Sequence, residues 1–150
     1  MVKSIELTGS ALEDVNQTVI AEFRANGGKV GGILEGLPVV LLHHVGAKSG
    51  VRRITPLCYF EHEDRRFIPA SYSGRPVLPA WAHNIRANPD VTIEIGEEYY
   101  TATAVEVPRE ERDRLFPELV HQIPTYGEYQ DRTERVIPLF ELIRIPSGQR

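Results

Sequence analysis

Tight polar links between short, β-branched apolar runs constrain this chain's fold more than any other feature. Val39 to Val45 is a near-continuous apolar run, and Arg53 to Phe60 and Arg66 to Ser71 are two more. The links between them, Gly46 to Arg52 and Glu61 to Arg65, are short enough to be hairpins, which make their strands antiparallel neighbours. Val91, Ile93 and Ile95 then alternate along a fourth strand, Gly96-Glu97-Glu98 turns the chain, and Tyr99 to Val107 returns it. Arg135 to Ile145 is a last strand, and its Pro138 suits an edge or a bulge. Short helices are expected between and around these runs. Leu12 to Ala25 carries Leu12, Val15, Val19, Ile20 and Phe23 on one face, and Pro79 to Ala87 stacks Trp81 on Ile85. Pro108 opens a charged helix to about Phe116, which Pro117 kinks or restarts, and Thr125 to about Thr133 forms another.

This order predicts an antiparallel sheet of about six strands rather than alternating βαβ units. Closing such a sheet into a small barrel removes its edges. The 150 residues, 41% of them hydrophobic, can bury a core without staples. One domain is expected over residues 1–150, with 1–35 as an N-terminal helix and lead-in. The single cysteine, Cys58, excludes an internal disulfide and a thiolate zinc cluster, so a reducing cytoplasm is the simplest location. The first residues lack the apolar stretch of a signal peptide, and no run is long enough to span a membrane.

The net charge of −4 argues against generic nucleic-acid binding. It also hides an asymmetry. Between Gly36 and Pro89, seven basic residues face three acids, a net +4, which leaves −8 for the rest. A basic middle in an acidic chain suits either a local site for an anionic small molecule or a solvated surface. The loop Gly46-Ala47-Lys48-Ser49-Gly50-Val51-Arg52-Arg53 concentrates that charge. Its glycines let backbone N–H groups converge on an anion, Lys48 adds a point charge, Ser49 a hydroxyl, and Arg52 or Arg53 a planar fork. A plain polar hairpin accounts for the same residues.

Other chemistries find little support. His43 and His44 point to opposite faces of a strand and cannot chelate one metal, so one is expected inside the fold and the other toward solvent or a site. His62, His83 and His121 lack zinc-ligand spacing, and no metal is expected. Cys58 sits in an apolar strand as an inert thiol, and Glu110-Glu111 reads as a solvated face. Two segments are more informative. Ala70-Ser71-Tyr72-Ser73-Gly74 ends a strand with small residues that allow close ligand approach, just before Trp81, which could face a ligand or seal the core. Tyr126 and Tyr129 share a helical face, where they could line a pocket or simply pack.

Taken together, these pieces resemble the deazaflavin-dependent nitroreductase family, within the split β-barrel flavin and deazaflavin oxidoreductases. The resemblance runs from about Pro38 to Ile145. It is carried by Gly46 to Arg53, Thr55-Pro56-Leu57, Ala70-Ser71 with Gly74, Pro79-Ala80-Trp81, His83-Asn84 with Ala87-Asn88-Pro89, Tyr126 with Tyr129-Gln130, and Thr133 to Pro138. It implies an α+β split β-barrel with short flanking helices that binds coenzyme F420, a deazaflavin with a phosphate and polyglutamate tail. In the cofactor site it implies, Lys48, Ser49 and Arg53 hold the phosphate and tail, in the turn set by Gly50 and with help from Arg52. Pro56, Ala70, Ser71, Trp81 and Asn84 would surround the ring system. Tyr126 and Tyr129 would close over the substrate and Ser71 polarise it, with any of the three or water delivering a proton. The implied reaction is hydride transfer from the reduced deazaflavin to a small electron-poor acceptor: a quinone, an activated alkene or a nitroaromatic. Cys58 and Ile123 stand where the family carries aromatics, and Ser73-Gly74 where some members have two glycines. Three alternatives remain on the same barrel: a non-catalytic F420 carrier, an FMN-dependent oxidoreductase, and a weak peripheral membrane contact through the N-terminal helix, whose charges are not strongly basic. Oligomeric state is open.

Overall fold

A computed structural model describes residues 9–146, and within them no side chain of residues 9–13 or of Ile33. The expectations for the first residues and for the Leu12 side chain lie outside that set. The chain opens with α1 (Gly9–Ala25) and enters the sheet at β1 (Val39–Val45), followed by β2 (Arg52–Cys58), β3 (Phe60–His62) and β4 (Arg65–Pro69). Next come α2 (Ala80–Ala87), β5 (Asp90–Ile95), β6 (Glu98–Glu106), α3 (Arg109–Gln122), α4 (Thr125–Asp131) and β7 (Leu139–Arg144). All seven strands form one antiparallel sheet in the order β2-β1-β5-β6-β7-β4-β3.

The order contains the main departure from the sequence reading. Arg53 to Phe60 is not one strand. It breaks at Tyr59, whose N–H bonds the Pro38 carbonyl, into β2 on one edge of the sheet and β3 on the other. Opposite edges are thus one residue apart in the chain, so the sheet must curl until they meet. The expected α+β fold holds, with seven strands in place of six. A two-residue turn at Glu63-Asp64, both in the left-handed region, closes the β3–β4 hairpin. Three smaller corrections follow. Ser71 lies beyond β4, and residues 135–138 lie outside β7. α3 runs through Pro117 without a break, because proline removes one backbone donor and the other turns carry the helix.

Strand alternation divides the core. Val40, Leu42, Ile68, Ile93, Ala102 and Phe140 point into the curl, where α2 inserts Trp81, Ala82 and Ile85 as a plug. On one outer face, Val39 and Leu41 pack under Val19, Ile20 and Phe23 of α1. On the opposite side, Phe60, Phe67 and Leu139 carry α3 and α4 through Leu119, Ile123, Tyr126 and Tyr129. No helix among the described residues is long and apolar enough to cross a membrane.

Candidate functional site

A cleft of about 1040 Å³ opens between α1, β2, α2 and α4. It gathers most of the residues singled out from sequence: Lys48, Ser49, Arg53, Pro56, Ser71, Trp81, Asn84, Tyr126 and Tyr129 all line it. Gly50, Arg52 and Ala70 do not. Gly50 takes a positive φ at the tip of the loop, Arg52 is exposed at the start of β2, and Ala70 is sealed in the core.

The two ends of the cleft differ in chemistry. At one end stands the Gly46–Val51 loop. The Gly46 N–H bonds the Val51 carbonyl at 2.9 Å, and the Gly50 N–H bonds the Gly46 carbonyl at 3.0 Å. Ser49 Oγ accepts the Val51 N–H at 3.2 Å. The loop thus uses several of its own donors, and of the expected nest the N–H groups of Lys48 and Ser49 remain. Charge is the stronger feature. Among the described residues, Lys48, Arg52 and Arg53 make no ion pair, whereas Arg65 pairs with Glu111 and Glu141, Arg66 with Glu61, and Arg86 with Glu106. The basic excess read from sequence therefore shrinks once its paired arginines are removed, and what survives beside the cleft is this loop and Arg75, which lies over the Tyr72 ring.

A buried chain of hydrogen bonds anchors that loop. The Ala47 N–H donates to Asn84 Oδ1 at 2.9 Å, which directs the other amide atom, Nδ2, at His44 Nδ1, 3.1 Å away. His44 must accept there, so its proton sits on Nε2 and is donated to Thr55 Oγ1 at 2.8 Å. Burial, reinforced by Arg53 and His43, pushes His44 down to about 4 and keeps it neutral. His44 is the interior histidine of the pair. His43 faces outward, 2.6 Å from the Glu94 carboxylate that Arg24 also binds.

The other end is aromatic and buried. Tyr126 and Tyr129 pack edge to face, ring centroids 5.5 Å apart, and both are 7% exposed. Burial pushes the Tyr126 phenol well up, and the neighbouring Cys58 adds to it. Burial pushes the Cys58 thiol up to about 11, which disfavours the thiolate at neutral pH. Tyr129 is also raised by burial, while a hydrogen bond from Ser73 opposes the shift. Both phenols keep their protons at neutral pH. Trp81 meets both expectations at once, packing on Phe140 in the core while lining the cleft. Apolar side chains of α1 and the following loop, Val15, Val19, Leu34 and Leu37, form the facing wall.

Sequence reasoning missed what holds the 70–75 segment in place. Tyr72, Ser73 and Gly74 are consecutive left-handed residues, with φ of 46°, 55° and 78°. A side chain at Gly74 would lie 2.6 Å from the Tyr129 carbonyl oxygen, so only glycine permits this approach of the segment to α4. Arg135 clamps the segment from below, donating to the carbonyls of Arg75 at 2.8 Å, Ser71 at 2.8 Å and Ala70 at 3.2 Å. Gln130 in turn holds the Arg135 carbonyl and the Arg112 guanidinium. The Ser71 hydroxyl borders the cleft and makes no hydrogen bond among the described residues.

A hairpin sheet curled on itself, with unpaired cations at one end of a cleft and phenols at the other, defines a barrel with a site for a long ligand that is anionic at one end. The particular family follows from comparison with known proteins. Residues 15–143 match the family described as F420H(2)-dependent quinone reductase, and the chain belongs to that family. An F420H(2)-dependent quinone reductase of Mycobacterium tuberculosis is 39% identical over 129 residues, covering 83% of this chain and 86% of that protein. A solved F420-H2 dependent reductase is 39% identical, with a TM-score of 0.63, and covers 70% of this chain and 93% of its own. A chain solved as a domain-swapped dimer is 32% identical over 89% of this chain and 93% of that one, with a TM-score of 0.64. The residues present suit the coenzyme: a phosphate needs unpaired cations and free N–H groups, and a flat ring needs apolar walls such as Trp81 and Pro56.

Proposed function

We propose that the cleft seats coenzyme F420 along its length, with phosphate and tail at the Gly46–Arg53 loop and the ring system between Pro56, Trp81, Ser71 and α4. The chain is an F420H2-dependent oxidoreductase with F420 as its cofactor. The single observation that carries the placement is the contrast between the ends: Lys48 and Arg53 stand without an ion pair at one end of the cleft, and Tyr126 and Tyr129 lie buried at the other. Reduced F420 supplies a hydride, two electrons at once, to an electron-poor acceptor. The protein's part is to bind, orient and polarise. Lys48 and Arg53 fix the anionic end, so the ring is held in one register. The acceptor lies between the ring and the wall of Val15, Val19, Leu34 and Leu37, where a flat apolar molecule replaces water.

A quinone-type acceptor fits this slot, and an activated alkene or a nitroaromatic makes the same demand for a donor at an electron-rich oxygen. Tyr129 is the better placed phenol. Burial pushes the Tyr126 phenol well up and that of Tyr129 less so, which makes Tyr129 the readier donor to a ligand. The Ser71 hydroxyl offers a second donor. Catalysis in a reducing cytoplasm is consistent with the lone, inert thiol.

The test is a matched titration with oxidised F420 and FMN, followed by anaerobic turnover of F420H2 with menadione. F420 should bind more tightly than FMN, and menadione should be reduced. Equal or tighter FMN binding would move the assignment to a flavin enzyme. Tight F420 binding without turnover against quinone, alkene or nitroaromatic acceptors would leave a carrier.

A further inference from the structure

We infer that His44 is a positioning residue for coenzyme binding, acting through Asn84 on the backbone of Ala47 to hold the cationic loop in its binding geometry. The inference rests on the reading of that loop as the phosphate site. His44 has no role in the sequence reading beyond being one of two adjacent histidines.

The polarity of the chain is fixed from its start. A backbone N–H can only donate, so Ala47 determines which way the Asn84 amide points. The amide nitrogen must then donate to His44 Nδ1, and the imidazole must carry its proton on Nε2, where Thr55 Oγ1 accepts it. Each of the three bonds requires the one before it, and no other tautomer satisfies all of them. His44 and Asn84 are 4% and 7% exposed, so water replaces neither partner cheaply. By contrast, Ala47, Lys48, Ser49 and Gly50 are all exposed. The loop is therefore an exposed hairpin link, held at its base by the β1–β2 ladder and bonded at one backbone N–H to a buried post. Cutting the tie leaves the loop's internal bonds intact but frees its orientation relative to α2. Binding an anion would then have to restore that order, which weakens affinity for the phosphate and tail.

This makes a selective claim, because the loop meets only the phosphate and tail. The test compares F420 with the same deazaflavin chromophore lacking phosphate and tail, titrated by fluorescence into wild type, His44→Ala, His44→Asn and His44→Gln. Wild type should prefer F420. His44→Ala should bind F420 at least tenfold more weakly, with affinity for the truncated chromophore within about twofold of wild type. His44→Asn places an acceptor near the position of Nδ1 and should recover most of the loss. His44→Gln reaches Thr55 but withdraws the acceptor from Asn84, and should not. The Asn and Gln variants carry the test if His44→Ala does not fold. Unchanged F420 affinity in His44→Ala, equal loss for both ligands, or equal affinities in the Asn and Gln variants would overturn the inference alone. A wild type that binds the two ligands equally would overturn the phosphate reading of the loop and this inference with it.

Discussion

The two ends of the cleft handle polar groups in opposite ways. At the loop end, cations stand exposed and unpaired, and order is imposed from behind by the buried His44–Asn84 pair. At the α4 end, the polar groups are themselves buried, and burial pushes both phenols up. The first arrangement is poised to gain a partner, since each cation has Coulomb energy to recover when an anion arrives. The second binds little on its own but presents fixed dipoles to whatever charge develops beside it. Affinity should therefore reside at one end and rate at the other.

The largest expected effect tests the affinity end. Lys48→Ala should weaken F420 binding by roughly 1.5–3 kcal/mol, the scale of a hydrogen bond to a charged group. Turnover at saturating coenzyme should stay close to wild type. Fluorescence titration and steady-state kinetics measure the two quantities separately. A fall in kcat with unchanged affinity would reverse the assignment of the ends.

A smaller effect tests the rate end. Tyr129→Phe should lower kcat by about tenfold, near 1.4 kcal/mol in the barrier, and leave the coenzyme dissociation constant nearly unchanged. The ring is retained, so packing against Tyr126 persists, and only the donor is lost. Tyr126→Phe should cost less, because burial pushes its phenol further up and makes it the poorer donor. Menadione and a nitroaromatic should show the same order. Wild-type rates in both variants would make the pair scaffold only.

The same contrast governs what could be read from sequence. The loop end was legible because its signals are local: two glycines, a serine and three cations within one hairpin link. The tyrosine pair was legible because helical spacing puts positions i and i+3 together. The break at Tyr59 was not. Cys58, Tyr59 and Phe60 read as one apolar run, and only their partners, Val39 for Cys58 and Phe67 for Phe60, assign them to opposite edges. Arg135 was quoted within a motif, but its role lies in three carbonyls some 60 residues away in the chain. The left-handed backbone at Tyr72 and Ser73 leaves no trace in residue type, since neither is glycine. One histidine of the adjacent pair was expected inside without a choice between them; it is His44, and its partner Asn84 lies 40 residues further on. Contacts set by closure of the sheet carry no local signature.

A last expected effect concerns the buried post behind the loop, and its sign follows from linkage. Burial is the main reason His44 is lowered to about 4, with Arg53 and His43 adding to it. In the unfolded chain the same imidazole titrates at its ordinary value near 6.5. Between those values the unfolded state holds a proton that the folded state refuses. Stability therefore rises with pH across this window and falls as pH drops from about 6.5 toward 4. The lowered carboxylates Glu94, Glu111 and Asp113 act mainly below that range. His44→Asn keeps the acceptor for Asn84 but has no proton to gain. Its Tm should fall less than that of wild type between pH 6.5 and 4.5, while the two curves run parallel from pH 7 to 8. Differential scanning fluorimetry across that range measures the difference directly. Parallel curves throughout would mean that His44 titrates alike in both states, and that the hydrogen-bond chain to Ala47 does not hold it neutral.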